Sequence, residues 1–264
     1  MPDWIAAAIL GIVEGITEFI PISSTGHLLV AEKLLNVHKS ELFNVVIQCG
    51  AVIAVLPLFP RRIFKFFFEW REPETQSYLL KLLTAFAITG IGGVAWKKLG
   101  HELPKELAPV AWALLIGGIA FVAVEFFLRG KKLNNEITWT IAVAVGLAQL
   151  VAAIFPGTSR SGSTILACLL LGLARPAATE FSFLAGIPTM LAAGGLEIFE
   201  ALHHPAPLAP REDWGMVLLA TAIAAAVSFI AVKWLLRYIQ THTFNLFGWY
   251  RIALAIVIFL LLTR

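Results

Sequence analysis

Apolar residues run along this chain in long blocks that short polar stretches separate. Six blocks approach or exceed the roughly 20 residues that a helix needs to cross a bilayer. They cover about 42–60, 78–96, 108–128, 178–200, 215–236 and 246–262. Two further blocks, 4–20 and 138–155, each lead into a proline and then into a short cluster of small polar residues, which we call a knot. A second, shorter apolar piece follows each knot, at about 28–36 and 164–173. The pattern predicts an all-helical protein.

The two knotted segments resemble copies of one another. Three pairs of residues are separated by the same offset of 135: Gly11 and Gly146, Pro21 and Pro156, and Ser24 and Ser159. This offset is about half of the 264-residue chain. We therefore expect a single membrane domain over 1–264, with internal repeats at approximately 1–130 and 136–264.

The second piece of each knotted segment is too short to span a membrane. Each segment is either a full span followed by an interfacial helix, or a pair of helices that enters and returns on one side. The second interpretation is favoured because polar backbone at membrane depth is tolerated where it lines an enclosed cavity. Each half then holds one re-entrant pair and three spans, and an odd number of spans inverts the second copy. The expected fold is an all-α integral membrane protein with six transmembrane helices and two re-entrant helix pairs in an inverted-topology repeat.

Composition and charge agree with this fold. Hydrophobic residues make up 59% of the chain and charged residues 14%, and the mean hydropathy of +0.83 excludes a soluble protein of this length. No basic stripe with interleaved aromatic residues indicates nucleic-acid binding, so the expected surroundings are membrane lipids. Lysine and arginine divide between two predicted faces. One holds Arg61, Arg62, Lys65, Arg71, Lys81, Arg129, Lys131, Lys132, Arg175, Lys233 and Arg237, and the other Lys33, Lys39, Lys97, Lys98, Lys105, Arg211 and Arg264. The richer face is expected to be cytoplasmic, which puts both termini outside.

Two acidic residues stand inside the first knotted segment. Glu14 and Glu18 are four residues apart and share one face of a helix. Such a pair holds a cation, shares a proton or faces a cationic partner. The alternative is a water-exposed pair near the interface without a role. Because intramembrane acids are rare, a functional pair is favoured.

The first knot, Ser23-Ser24-Thr25-Gly26-His27, stands at a predicted helix start. A helix N-terminus offers free N–H groups and a partial positive charge, which together hold phosphate. The same field favours neutral imidazole, which makes His27 a candidate base or nucleophile. Alternatively, the histidine and the serines only cap the helix.

The second knot carries an arginine in place of acids. Ser159, Arg160, Ser161 and Thr164 lie between apolar segments, and no acidic residue is near Arg160 in sequence. A guanidinium there needs an anion, and its planar fork suits phosphate oxygens. A salt bridge to Glu14 or Glu18 across the repeat is the alternative, and it is compatible with an anion site.

Polar residues elsewhere in the apolar blocks carry weaker signals. Arg251, near the start of the last block, is expected to snorkel to the interface. Gln48, Asn44 and Glu180 are either supports of the site or helix-packing residues, and packing is favoured for each.

The combined motifs resemble one known family. VEGxTEFxPxSSTGH at 13–27 and PGxSRSGxT at 156–164, together with FNVVIQCG at 43–50, EFSFLAGIP at 180–188 and FGWYRI at 247–252, are similar to the bacterial undecaprenyl-pyrophosphate phosphatases, also called bacitracin-resistance proteins. The resemblance implies a hydrolase of the bacterial inner membrane that removes the terminal phosphate of undecaprenyl pyrophosphate and returns the carrier lipid to cell-wall synthesis. It also implies an outward-facing site and a divalent cation, Mg²⁺ or Ca²⁺.

On this resemblance the two knots divide the chemistry. Glu14 and Glu18 bind the cation or act as base, and Ser24 activated by His27 is the preferred nucleophile, followed by His27 itself and by water. The expected phosphate-binding residues are Ser23, Thr25, Ser159, Arg160, Ser161 and Thr164. The alternative function is a polyprenyl-phosphate transporter or flippase, which needs Arg160 but not Glu14, Glu18 and His27 together. The sequence leaves a homodimer open.

Overall fold

The computed structural model describes residues 1–99, 106–203 and 212–262. The described residues form eleven α-helices: α1 (Asp3–Thr17), α2 (Ser24–Leu35), α3 (Glu41–Val55), α4 (Pro60–Phe68), α5 (Pro73–Lys98), α6 (Leu107–Phe127), α7 (Trp139–Ile154), α8 (Arg160–Leu170), α9 (Arg175–His203), α10 (Trp214–Tyr238) and α11 (Asn245–Leu262). By length and composition, α3 with its following 3₁₀ turn, α5, α6, α9, α10 and α11 are each able to cross a membrane. Over the described residues, the prediction of an all-helical protein with six helices able to span a membrane is confirmed.

The two short helix pairs break at the knots for the same local reason. α1 ends at Thr17 and α7 at Ile154, shortly before a proline that cannot continue a helix. The next helix then begins at a serine cap: Ser23 Oγ accepts from the Gly26 N–H (3.3 Å), and Ser159 Oγ accepts from the Gly162 N–H (3.2 Å). The helices therefore begin at 24 and 160, ahead of the apolar pieces at about 28–36 and 164–173, and the prediction that the first knot stands at a helix start is confirmed.

The caps also correct the alignment of the two copies. Ser23 and Ser159 both have a positive φ, 75° and 70°, a conformation that is uncommon outside glycine. They therefore occupy equivalent positions, one residue away from the predicted pairing of Ser24 with Ser159. Ser24 is the counterpart of Arg160, since each is the first residue of its helix.

Before the knots, the offset of 135 agrees with the packing. α1 packs against α10, and α7 packs against α5. A Cβ at Gly11 would lie 2.5 Å from the Ala220 carbonyl oxygen, and one at Gly146 would lie 3.0 Å from the Ala85 carbonyl oxygen. Both glycines thus allow a close approach of two helix backbones.

The ends of each short pair lie near one another. Asn134, before α7, donates its N–H to the Gly172 carbonyl (3.0 Å) and accepts from the Ala174 N–H (2.6 Å) after α8. In the other copy, Ala7 in the first half of α1 belongs to a buried cluster with Phe43 and Val217, near the starts of α3 and α10. Ala31 in the second half of α2 packs against the same cluster, so the outer halves of α1 and α2 are also near one another.

Ion pairs mark the two ends of the bundle. At one end Arg62 pairs with Glu180 (2.6 Å), Lys65 with Glu74 (3.6 Å) and Arg175 with Glu125. At the other end, Lys97 pairs with Glu200 (3.5 Å). The basic residues of the first group belong to the predicted cytoplasmic face and Lys97 to the outer one. Lys105, Arg211 and Arg264, also assigned to the outer face, lie outside the described residues.

Candidate active site

A cavity of about 250 Å³ lies where the two knots meet. The ends of α1 and α7, the starts of α2 and α8, and the middle parts of α3, α5 and α9 surround it. Its lining is Glu18, Ser23, Ser24, Thr25, Gln48, Thr89, Gln149, Ala152, Ala153, Gly157, Ser159, Arg160, Thr189 and Met190. The structure thus brings most of the predicted site into one space.

Glu18 connects the two copies. Its side chain is buried, with 6% of the residue exposed. Oε2 accepts the Ser24 hydroxyl at 2.6 Å and the Gln48 amide at 3.4 Å, while Oε1 lies 3.2 Å from Arg160 Nη2. Glu18 follows the last residue of α1, at the negative end of the helix dipole. Arg160 therefore stabilises a carboxylate whose position on its own helix is unfavourable.

Arg160 keeps donors available for a ligand. Its Nε and Nη1 are buried and have no hydrogen-bond partner in the described part of the chain. The guanidinium lies against the backbone of α9 at Gly186, where any Cβ would overlap it. Its pair with Glu18 is the cross-repeat salt bridge named as the alternative from sequence, and the unpaired donors leave room for an anion as well.

Glu14 lies one turn before Glu18 and is fully buried. Neither of its carboxylate oxygens has a hydrogen bond of good geometry in the described structure, although the group lies close enough to Glu18, Gln48 and Arg160 to interact with all three. In the second copy Gln149 takes the equivalent position, three residues after the close-approach glycine, and it is also buried and without a partner.

His27 faces away from Ser24. Its Nδ1 is 2.7 Å from the Ser23 carbonyl oxygen and its Nε2 is 2.7 Å from the Tyr250 hydroxyl, with the two rings stacked. Because both ring nitrogens are engaged there and the Ser24 hydroxyl is bound to Glu18, the predicted activation of Ser24 by His27 is not the arrangement in this structure. Tyr250 was not identified from sequence as a partner of His27. Its position in the FGWYRI motif, next to Arg251, was the only sequence feature that pointed to a role in the site.

Three of the predicted phosphate-binding hydroxyl residues line the cavity: Ser23, Thr25 and Ser159. The Ser23 and Ser159 side chains also cap their helices.

The other two, Ser161 and Thr164, are fully buried and bind protein backbone. Ser161 Oγ donates to the Glu18 carbonyl (3.2 Å), and Thr164 Oγ1 donates to the Arg160 carbonyl (2.9 Å). Their hydroxyls therefore stabilise the backbone around the two knots and do not line the cavity.

Arg251 links the two knots. It is completely buried, so the expectation that it snorkels to the interface is wrong. Its guanidinium donates to five backbone carbonyls, those of Pro21 just before the first knot, Gly157 and Thr158 just before Ser159 of the second, and Ala113 and Leu114 of α6. A charge about one turn inside the last span was the sequence signal for this role.

Of the three residues assigned to packing, Gln48 is different. It lines the cavity and donates to Glu18, so it supports the site. Asn44 donates to Glu32 between α3 and α2 (3.4 Å), and Glu180 pairs with Arg62.

The two carboxylates suit a divalent cation. Glu14 offers two buried oxygens that have no well-formed hydrogen bond among the described residues, and Glu18 is adjacent. No cluster of three or more His, Cys, Asp or Glu occurs in 1–99, 106–203 and 212–262. Mg²⁺ is commonly held by one or two carboxylates, with substrate phosphates and water completing its shell.

Comparisons with known proteins agree with the motifs. Residues 7–257 match the family described as bacitracin resistance protein BacA. The chain is 51% identical to an undecaprenyl-diphosphatase of Rhizobium etli (strain CIAT 652), over 97% of this chain and 96% of that protein. It is 46% identical to one of Xylella fastidiosa (strain 9a5c) over the full length of both, and 45% identical to one of Xanthomonas oryzae pv. oryzae (strain PXO99A) over 98% and 97%.

Proposed function

We propose that this chain, which belongs to the bacitracin resistance protein BacA family, hydrolyses undecaprenyl diphosphate to undecaprenyl phosphate and inorganic phosphate. The product recycles the lipid carrier for cell-wall synthesis. The observation that carries the proposal is the position of Glu18, which binds a serine hydroxyl with one oxygen and faces an arginine with the other. A base, a nucleophile and an anion clamp thus meet in one cavity.

The diphosphate binds between two helix starts. α2 begins at Ser24 and α8 at Arg160, and both residues line the cavity. The partial positive charges of two helix N-termini add to the guanidinium charge there. Phosphoryl transfer depends mainly on such positioning and charge stabilisation.

Ser24 is the proposed nucleophile. Its Oγ attacks the terminal phosphorus while its proton passes to Glu18 Oε2, and the bond from that phosphorus to the bridging oxygen breaks. Glu18 then gives the proton to the departing lipid monophosphate. A water molecule attacks the phosphoserine, Glu18 accepts a proton from it, and that proton returns to Ser24 as inorganic phosphate leaves. Attack by water on the diphosphate with Glu18 as base gives the same products.

Glu14 is the proposed ligand of a divalent cation, Mg²⁺ or Ca²⁺, and Glu18, the other predicted ligand, acts as the base in the steps above. Such a cation, when bound, supplies positive charge to the diphosphate oxygens. The unpartnered oxygens of Glu14 support this role, since a buried carboxylate without donors is costly unless a ligand compensates it.

His27 is a positioning residue in this proposal. It ties Tyr250 of α11 to the Ser23 carbonyl and so fixes the first turn of α2. Ser24 then points at Glu18.

An apolar groove of about 620 Å³ between α6, α7 and α8 is the proposed place for part of the isoprenoid tail. Trp112, Ile116 and Phe155 are among its lining residues. The second knot separates it from the cavity: Pro156 and Thr158 line the groove, and Gly157 and Ser159 line the cavity. The cavity and the groove are therefore close enough for one lipid molecule to place its diphosphate in the cavity and part of its tail in the groove.

We further propose that the two short pairs are re-entrant and inverted in the bacterial inner membrane, with the cavity open to the outer side. The backbone hydrogen bonds of Asn134 with Gly172 and Ala174 support a return of the second pair to its side of entry. The larger group of basic residues at the end where Arg62, Lys65 and Arg175 form ion pairs supports the orientation.

Hydrolysis is favoured over lipid transport. A carrier has no need for the Glu18–Ser24 hydrogen bond, and the relatives are named as diphosphatases. The test is release of inorganic phosphate from undecaprenyl diphosphate by the purified protein in detergent with Mg²⁺ or Ca²⁺. Steady release supports the proposal, and its absence with both cations contradicts it.

A further inference from the structure

One buried amide in the cavity has no structural explanation. Gln149 is 2% exposed, and neither its side-chain nitrogen nor its oxygen has a hydrogen-bond partner in the described structure. A buried amide without partners costs free energy that an apolar side chain of similar size would avoid. Residues of this kind in a folded chain point to a ligand that is bound during function.

The position of Gln149 points to the ligand. It lines the same cavity as Glu18, Ser24 and Arg160. It also corresponds to Glu14 of the first copy, because each follows its close-approach glycine by three residues. The first copy thus places a carboxylate at this point, and the second places an uncharged group of the same shape that can donate hydrogen bonds.

This difference in chemistry separates two kinds of ligand. A carboxylate accepts only, so Glu14 suits a cation. The amide nitrogen of Gln149 has two hydrogens to donate, and phosphate oxygens are strong acceptors. Thr89, the cavity residue on the helix that α7 packs against, already donates to the Ala85 and Gly146 carbonyls, so its hydroxyl hydrogen is engaged.

We infer that Gln149 donates a hydrogen bond from Nε2 to a phosphate oxygen of the substrate and positions the diphosphate against Arg160. This role rests on the proposed function. It predicts a residue whose loss lowers activity but does not lower stability, because the amide makes no hydrogen bond to the described part of the protein.

Gln149→Leu tests the inference, since leucine keeps much of the volume and removes both polar atoms. We expect a loss of about 10- to 100-fold in kcat/KM, the effect of one hydrogen bond to a charged group, with an unchanged or higher Tm. Gln149→Glu should lose more, because a carboxylate there repels the diphosphate. Gln240→Leu, which removes an exposed amide just after α10 that donates to the Leu236 carbonyl, is the matched control and should keep wild-type activity.

A second readout does not depend on turnover. Inorganic pyrophosphate should raise the Tm of the wild type and of Gln240→Leu, and should raise that of Gln149→Leu by less. Wild-type kinetics in Gln149→Leu, or an equal pyrophosphate shift, would overturn the inference and leave the proposed function intact. A lower Tm in Gln149→Leu without pyrophosphate would also overturn it, because it would show a structural role. If the wild type itself releases no phosphate, the proposed function fails instead.

Discussion

The Ser24 hydroxyl and the Glu18 carboxylate are joined by a hydrogen bond of 2.6 Å across the break between α1 and α2. The distance is in the range of a charge-assisted O–H···O⁻ bond. It is formed because the Ser23 cap starts α2 immediately after the turn at Pro21, so that the first residue of one helix faces the end of the other.

This pair should act as a unit in catalysis. Glu18→Gln and Ser24→Ala are each expected to lower kcat by about 10²- to 10⁴-fold, the contribution typical of a general base. The double variant should be only slightly slower than either single one, because each change disables the same step. Initial rates of phosphate release measure all three.

Two results would contradict this account. Multiplicative losses in the double variant would mean that the two residues act independently. A loss in His27→Gln that exceeds that in Glu18→Gln would restore His27 as the base.

Gly186 is expected to be essential for the position of Arg160. A methyl group at 186 would overlap the guanidinium, so Gly186→Ala should lower kcat/KM by about 10- to 100-fold through the lost phosphate contact. Gly195→Ala on the same helix is the matched control, because a Cβ there meets nothing within 4 Å. Equal activity of the two variants would show that the place of Arg160 beside α9 does not matter.

Arg251 should contribute mainly to stability. Arg251→Lys keeps the charge but replaces a five-donor fork with a compact ammonium that cannot reach the carbonyls of both knots. We expect the free energy of unfolding to fall by about 3 kcal/mol, measured by thermal or denaturant unfolding in detergent. Arg237→Lys, at an exposed position of α10, serves as control. A Tm equal to the control's would show that the knots hold together without Arg251.

The cation proposal gives Glu14 a measurable effect. A chelator should abolish phosphate release, and adding Mg²⁺ or Ca²⁺ should restore it. Glu14→Gln should raise the cation concentration for half-maximal rate by about tenfold or more, as expected when a charged ligand is lost. Gln240→Leu should leave the cation dependence unchanged. Full activity in the presence of chelator would contradict the proposal that the enzyme requires a divalent cation.

Much of the fold was predictable from the sequence. Span length follows directly from the apolar blocks, because bilayer thickness and helix rise fix it. The offset between Gly11 and Gly146 follows from the repeat of the two segments in the sequence. The exact starts of α2 and α8 did not follow, since they depend on the positive φ of Ser23 and Ser159. Such a conformation is unusual for serine, and sequence propensity does not indicate it.

The composition of the site was predictable, but its pairings were only partly so. Glu18 and Arg160 could be expected to meet because they carry opposite charges and both lie in apolar surroundings. The choice between Glu18 and His27 as partner of Ser24 depends on the contact of His27 with Tyr250, which lies 223 residues away. Arg251 was misjudged because its acceptors are backbone carbonyls of three segments, and these have no signature in sequence.

The cavity between the two knots is proposed to hydrolyse a lipid diphosphate, with Arg160 binding the phosphate. The most direct measurement is the rate of phosphate release from undecaprenyl diphosphate by wild type and by Arg160→Ala, each with its Tm recorded in the same detergent. The account predicts release by the wild type and a loss of at least about 1,000-fold in the folded variant, the upper range for a residue that stabilises transition-state charge. Comparable rates from both proteins would contradict it.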